Sequence, residues 1–192
     1  MADCEITNDI LYDCTNPPIA GAKDRIIIIP RRAIDSITLN VDNHLIVEDI
    51  TLEAGERGYL YTGNGDLRSL TDQMVKDENG TRYLHGIPFK VFGATPVIKK
   101  ELEYLSRENE GVVAILEQNY KGTSGNSRYV VLGKDCGLYV RMLESTDGKN
   151  IYSIELFSKD GYEEPHMAAN FYITSEATTK TTVEALLVAD TA

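Results

Sequence analysis

Arg25-Ile26-Ile27-Ile28-Ile29-Pro30 is the stretch that most narrows what this chain can fold into. Four successive β-branched side chains disfavour a helix, where each loses rotamer freedom against the preceding turn, and they favour an extended strand. Neighbouring side chains of a strand point to opposite faces, so an apolar run without a polar member predicts a strand buried on both sides. Pro30 stops it, because proline brings no amide to a ladder.

Around that strand the chain breaks into short extended pieces. Ser36-Ile37-Thr38-Leu39-Asn40-Val41 alternates polar with apolar, Asp42-Asn43 supplies a turn, and Leu45 to Val47 returns as the second arm of a hairpin. Gly58 to Thr62 reads as another strand, closed by Gly63-Asn64-Gly65. Residues 66–81 are polar and end in Asn79-Gly80, a strong turn signal. The Leu67, Leu70, Met74 spacing fits a short helix there, and a surface loop fits as well. Arg82 to Gly93 gives a strand in which Pro88 marks an edge or an entry point. The clearest helix follows. Thr95 caps it, Pro96 takes the first-turn position where no amide is missed, and Ile98, Leu102 and Leu105 recur at helical spacing before Glu110-Gly111 closes it.

Strands are predicted at 112–119, 128–133 and 137–143, then over Tyr152 to Leu156 after an Asp147-Gly148 reversal, with a short pairing segment at 170–174. Val183, Leu186 and Leu187 give 178–189 the apolar face of a short amphipathic helix. The predicted class is α+β and mainly β: a β-sandwich or curved-sheet barrel with one central helix and a short C-terminal helix. Residues 1–24, broken by Asn16-Pro17-Pro18 and Gly21, read as an extended arm, and 25–192 as a single domain.

Charge limits the partners. Thirty acidic residues against nineteen Lys and Arg give a formal net charge of −11, which argues against gripping nucleic acid through its phosphates. Asp35, Asp42, Glu48, Asp49, Glu53 and Glu56 crowd one stretch whose nearest basic residues, Arg32 and Arg57, lie outside it. An acidic face of this kind aids solubility, and it is also a surface to which DNA does not adhere. Cys4, Cys14 and Cys136 match no zinc spacing and read as free thiols of a reducing compartment. The N-terminal stretch has no basic and apolar regions of a secretory signal, and no apolar run is long enough for a bilayer, so no membrane partner is expected.

No motif asks for chemistry. His44, His85 and His166 fall in different predicted elements with no i, i+4 pair, and His166 after Glu163-Glu164-Pro165 reads as a polar loop residue. Gly63-Asn64-Gly65 does not continue into a dinucleotide loop, and Gly122-Thr123-Ser124-Gly125 lacks the ending of a phosphate loop. The expectation is no enzyme, no catalytic or metal-binding residues and no cofactor. Eleven tyrosines beside four phenylalanines and no tryptophan suit half-wet sheets and subunit interfaces.

Several stretches together resemble tail-tube-like virion proteins of phages of Bacteroidetes bacteria. They are Asp13-Cys14-Thr15-Asn16-Pro17-Pro18 with Gly21-Ala22-Lys23-Asp24-Arg25, then 111–122, 133–138, and 164–187 beginning Glu164-Pro165-His166. The resemblance covers most of the chain and rests on structural stretches. It implies a tail-tube fold and a structural subunit whose rings, hexameric in that family, stack into a tube that conducts DNA at ejection. Its implied partners are further copies, with tail-terminator, baseplate and tape-measure proteins, and its place is the virion tail, assembled in the bacterial cytoplasm. The alternatives are another virion ring component (tail terminator, head–tail connector or baseplate ring) or the tube of a contractile injection system. A binding module or a small enzyme without local motifs is the reading from a different class.

On the tube reading, Asp42, Glu48, Asp49 and Glu53 are the candidates for facing the lumen. Asn16, Pro17, Pro18, Leu67, Leu70 and Met74 are the candidates for contacts between rings. DNA then passes without specific binding, repelled within a screening length of about 8 Å at physiological salt.

Overall fold

In the computed structural model, the structure describes residues 21–62, 70–78, 80–120, 127–146 and 150–189. The strands in chain order are β1 Ala22–Pro30, β2 Ile34–Leu39, β3 Ile46–Leu52, β4 Tyr59–Thr62, β5 Thr71–Asp77 and β6 Gly80–Phe92. After helix α1 Pro96–Ser106 come β7 Val112–Gln118, β8 Tyr129–Leu132, β9 Tyr139–Thr146, β10 Ile151–Phe157 and β11 Ala169–Phe171, then helix α2 Glu176–Ala185.

The isoleucine run sits near the middle of a seven-stranded sheet of order β2-β3-β11-β8-β7-β1-β4, and it is buried on both sides as its sequence requires. Ile26 and Ile28 enter one core with Val112, Ala114, Leu116, Val130 and Leu132 of the same sheet. Facing them are Ile87, Phe89, Ile154 and Leu156 of a four-stranded sheet of order β5-β6-β10-β9. Ile27 and Ile29 enter the other core with Val47, Ile50, Val113, Ile115, Val131 and Phe171, covered by Val183 of α2 and Leu186 just after it. The result is a sheet-on-sheet sandwich with a helix on the outer face of the larger sheet. All pairings are antiparallel except β11 with β3.

Two local devices hold the frame. The Thr95 hydroxyl accepts the Ile98 amide at 3.3 Å with Pro96 in the first turn, and Leu102 carries α1 into the inter-sheet core. The Arg25 guanidinium makes a two-point bond to Glu184, at 2.7 and 3.0 Å, and so ties α2 to the sheet it covers. That bond holds the Glu184 carboxyl below its ordinary value.

Several expectations need correction. Each sheet's strand order is linear, with β2 and β4 at opposite ends of the larger one, so the architecture is a sandwich and not a closed barrel. The first strand begins at Ala22, with Ala22 opposite Gln118 and Lys23 paired to Glu117, so the boundary drawn after residue 24 cuts into β1. Residues 1–20 lie outside the described residues. Residues 71–77, expected as loop or short helix, form β5 and pair with β6 from Thr71↔Gly86 to Asp77↔Gly80. An edge strand wet on one side needs few apolar residues, and the ladder to β6 supplies the order that the polar sequence conceals. The C-terminal helix ends at Ala185, so Leu186 and Leu187 pack from the turn that follows it.

The β2–β3 hairpin, expected from its alternation, carries two register shifts, between Ile34 and Ser36 and between Thr38 and Leu39. The second puts Val47 and Ile50, three apart, into the same core, which strict alternation forbids. Phe171 is fully buried in that core, and its carbonyl accepts the Ser127 hydroxyl. Phe171→Ala is expected to destabilise the fold by about 3–5 kcal/mol in urea denaturation, a loss of buried area plus an unfilled cavity.

Candidate functional site

Two sheet edges open onto one apolar groove. β4 pairs with β1 on one side, through Ile27↔Leu60 and Ile28↔Tyr59, and among the described residues nothing pairs with its other edge. β6 is longer than its neighbours. β5 covers it from Gly80 to Gly86 and β10 covers the opposite side from Gly86 to Phe92, which leaves the β5 side of 87–92 open among the described residues. Pro88 lies in that stretch, where a missing amide is tolerated.

The groove between β4, the end of β6 and α1 has a volume of about 790 Å³ and is lined by Tyr59, Leu60, Phe92, Val97 and Ile98, with Arg57, Glu101 and Leu187. Leu60 is 44% exposed, Phe92 40% and Val97 69%. Apolar surface collected in one place in this way marks a contact surface more often than scattered exposure does. Tyr61 lines the groove as well and packs from there against the inter-sheet core, edge-on to Phe89 at 6.0 Å. Burial, helped by Glu101, pushes the Tyr61 phenol up to about 12, so it stays neutral. Arg57 stacks its guanidinium over the Tyr59 ring at 5.1 Å.

Gly58 fixes where β4 starts. Its amide donates to the Leu186 carbonyl at 2.7 Å, and a Cβ there would lie 2.9 Å from Ile27 Cγ2. The end of α2, the start of β4 and the isoleucine run therefore meet at one position that admits only glycine without a shift.

The four carboxylates named for the lumen all fall on the β2–β3 hairpin, at the end of the larger sheet opposite β4. Asp42 is in the turn, Glu48 and Asp49 are in β3, and Glu53 is just past it. Glu48 accepts from the Asn40 amide at 2.6 Å and Asp49 from the Thr51 hydroxyl at 3.2 Å. They are strung along the hairpin and do not converge on one point. Of the residues named for contacts between rings, Met74 is 59% exposed on β5, whereas Leu70 packs against the inter-sheet core. Asn16, Pro17, Pro18 and Leu67 lie outside the described residues, as do Cys4 and Cys14.

Sequence reasoning missed a second, polar constellation. The three histidines, which it placed apart, come together at one end of the sandwich: His44 stacks on His166, and the backbone of His166 meets the ring of buried His85. Glu164, which the sequence did not mark out, has no exposure at all. Local spacing carries no sign of either fact, because the partners come from separate strands and loops.

A scan against protein-family models, a search of curated proteins and a search of solved structures each find no match. Function therefore rests on the geometry. Among the described residues no three His, Cys, Asp or Glu side chains are grouped to hold a metal ion, and no helix is long and apolar enough to cross a membrane. The groove is suited to burying another apolar surface and adding a strand at an open edge.

Gly58→Ala tests how the groove is built. The clash with Ile27 and the Leu186 carbonyl is expected to cost about 1–3 kcal/mol in urea denaturation. Hydrogen exchange should show the loosening concentrated in 58–62 and 183–188.

Proposed function

We propose that this chain is a self-assembling structural subunit of the tail-tube type its sequence resembles, whose copies form rings that stack into a tube conducting DNA. The observation that carries this reading is the apolar groove between two open sheet edges. Among the described residues those edges have no ladder partner and that surface meets water, and a second copy would supply both. The two ends of the larger sheet differ: β4 is apolar with Arg57, and the β2–β3 end is acidic. Unlike ends favour a head-to-tail contact, and a head-to-tail contact that closes gives a ring.

The charge fits the same reading. A net charge of −11 and a carboxylate-rich hairpin suit a wall past which a phosphate backbone moves without being held. On this proposal Asp42, Glu48, Asp49 and Glu53 contribute to the inner wall. Met74 remains the described candidate for reaching a neighbouring ring, since Leu70 is engaged within its own chain. The implied partners are further copies and the tail-terminator, baseplate and tape-measure proteins, in the virion tail.

The purified full-length chain, raised in concentration and followed by light scattering and negative-stain imaging, is expected to form tubes. Single rings that never stack would favour a terminator, connector or baseplate ring instead. A particle that stays monomeric at every concentration would defeat the proposal and favour a binding module or an enzyme. The Leu60→Asp, Phe92→Asp double variant is expected to keep the wild-type circular dichroism spectrum while losing assembly, because both side chains are exposed in the single chain.

A further inference from the structure

His44 of the β2–β3 turn, His85 of β6 and His166 of the segment between β10 and β11 form a seam across the two sheets. The His44 and His166 rings stack with centroids 4.3 Å apart and planes tilted by 49°. His85 is 1% exposed, and its Nδ1 accepts the Gly133 amide at 3.3 Å. That bond puts the proton of the neutral ring on Nε2. The ring also meets the His166 backbone, and Nε2 lies 3.7 Å from Asp72 Oδ1, with neither of these two atoms at full hydrogen-bond distance from a partner among the described residues.

Polar bonds fasten the segment 158–168 over this cluster. Ser158 exchanges bonds with the His85 backbone, its amide to the His85 carbonyl and its hydroxyl from the His85 amide, each at 2.9 Å. Glu164 and Tyr83 exchange amide–carbonyl bonds at 2.8 and 2.9 Å. The Glu164 carboxylate accepts the amides of Asp135 at 3.0 Å and Cys136 at 2.8 Å, and Asp72 Oδ2 accepts the amide of Ala168 at 3.0 Å. The strap thus joins the β5–β6 hairpin of one sheet to the loop that follows β8 of the other.

We propose that this seam is a proton-operated latch: mild acid charges His85 and His166 and releases the 158–168 strap from the β5–β6 hairpin while the seven-stranded sheet stays folded. A charged His166 imidazolium is crowded against the His44 ring, and a charge on buried His85 is cut off from solvent. The charged groups facing the histidines are Asp72 from β5 and Lys134 and Asp135 from the loop after β8, and next to that loop Glu164 of the strap faces Asp135 and Cys136.

Burial holds His85 below its ordinary value of 6.5, with Lys134 adding to that and Asp72 and Asp135 opposing it. Burial, His44 and Lys134 hold His166 below it too. Each ring is therefore neutral in the closed seam and takes a proton more readily once open. Their contribution to closure is full above about 6.5 and shrinks as pH falls towards their lowered values. Burial raises the Glu164 carboxyl above its ordinary 4.5, so its protonation favours the closed seam and limits the opening on the acid side.

Hydrogen exchange of the full chain at fixed concentration between pH 7.5 and 5.5, corrected for the intrinsic rate, tests the latch whether or not copies assemble. Opening in 80–86 and 158–168 is expected to rise by up to about tenfold per pH unit for each imidazole below pH 6.5. Residues 112–118 of the larger sheet should stay flat. The His44→Gln, His166→Gln variant, with Gln in place of the two stacked rings, should show a shallower rise, and adding His85→Gln should remove it. A flat wild-type profile, an equal rise in 112–118, or an unchanged slope in the double variant would overturn the proposal.

Discussion

Burial of one sheet on both faces is the constraint from which the rest of this structure follows. A strand with four isoleucines in a row has no face to give to water, so Ile26 and Ile28 need one cover and Ile27 and Ile29 another. The smaller sheet supplies the first and α2 the second. The Arg25–Glu184 bond and the Gly58–Leu186 contact hold the helical cover in place, and Leu102 of α1 completes the inter-sheet core. Removing either cover would expose half of a core built around the same strand.

A centre of this kind pushes everything polar outward. Carboxylates collect on the β2–β3 hairpin, where β2 has one neighbour among the described residues, and the register shifts there keep Ile34, Ile37, Val47 and Ile50 pointing inward. The apolar groove forms at the other end for the complementary reason. β4 is short and β6 outruns its partner, so apolar side chains meant for a sheet interior reach an edge with nothing described against them. At the end where the strap crosses, the two sheets are joined by carboxylate, hydroxyl and imidazole bonds. Buried polar groups of that kind gain geometric definition and become sensitive to protonation.

Much of the fold was legible because the signals were local and physical. The isoleucine run, the Thr95-Pro96 start of α1 and the mainly β class each follow from neighbours in the chain. β5 was not legible: Thr71-Asp72-Gln73-Met74-Val75-Lys76-Asp77 has no strand pattern of its own and is extended because β6 offers it a ladder. The groove was half legible. Gly58 to Thr62 was marked as a strand, but that it would be an edge, and that Phe92 and Val97 would arrive beside it, depended on sheet order.

The sequence by itself determined that this chain needs a strand covered on both faces and a capped helix after a long strand, and that carboxylates outnumber its basic side chains. Hydrophobic periodicity, capping chemistry and net charge act between residues a few positions apart or on the chain as a whole, so they can be read without coordinates. Only the tertiary structure decided which strands became edges, that Val47 and Ile50 share a core, and that His44 and His85 both meet His166. Those outcomes depend on contacts between residues dozens of positions apart, fixed by packing and pairing that no short stretch encodes.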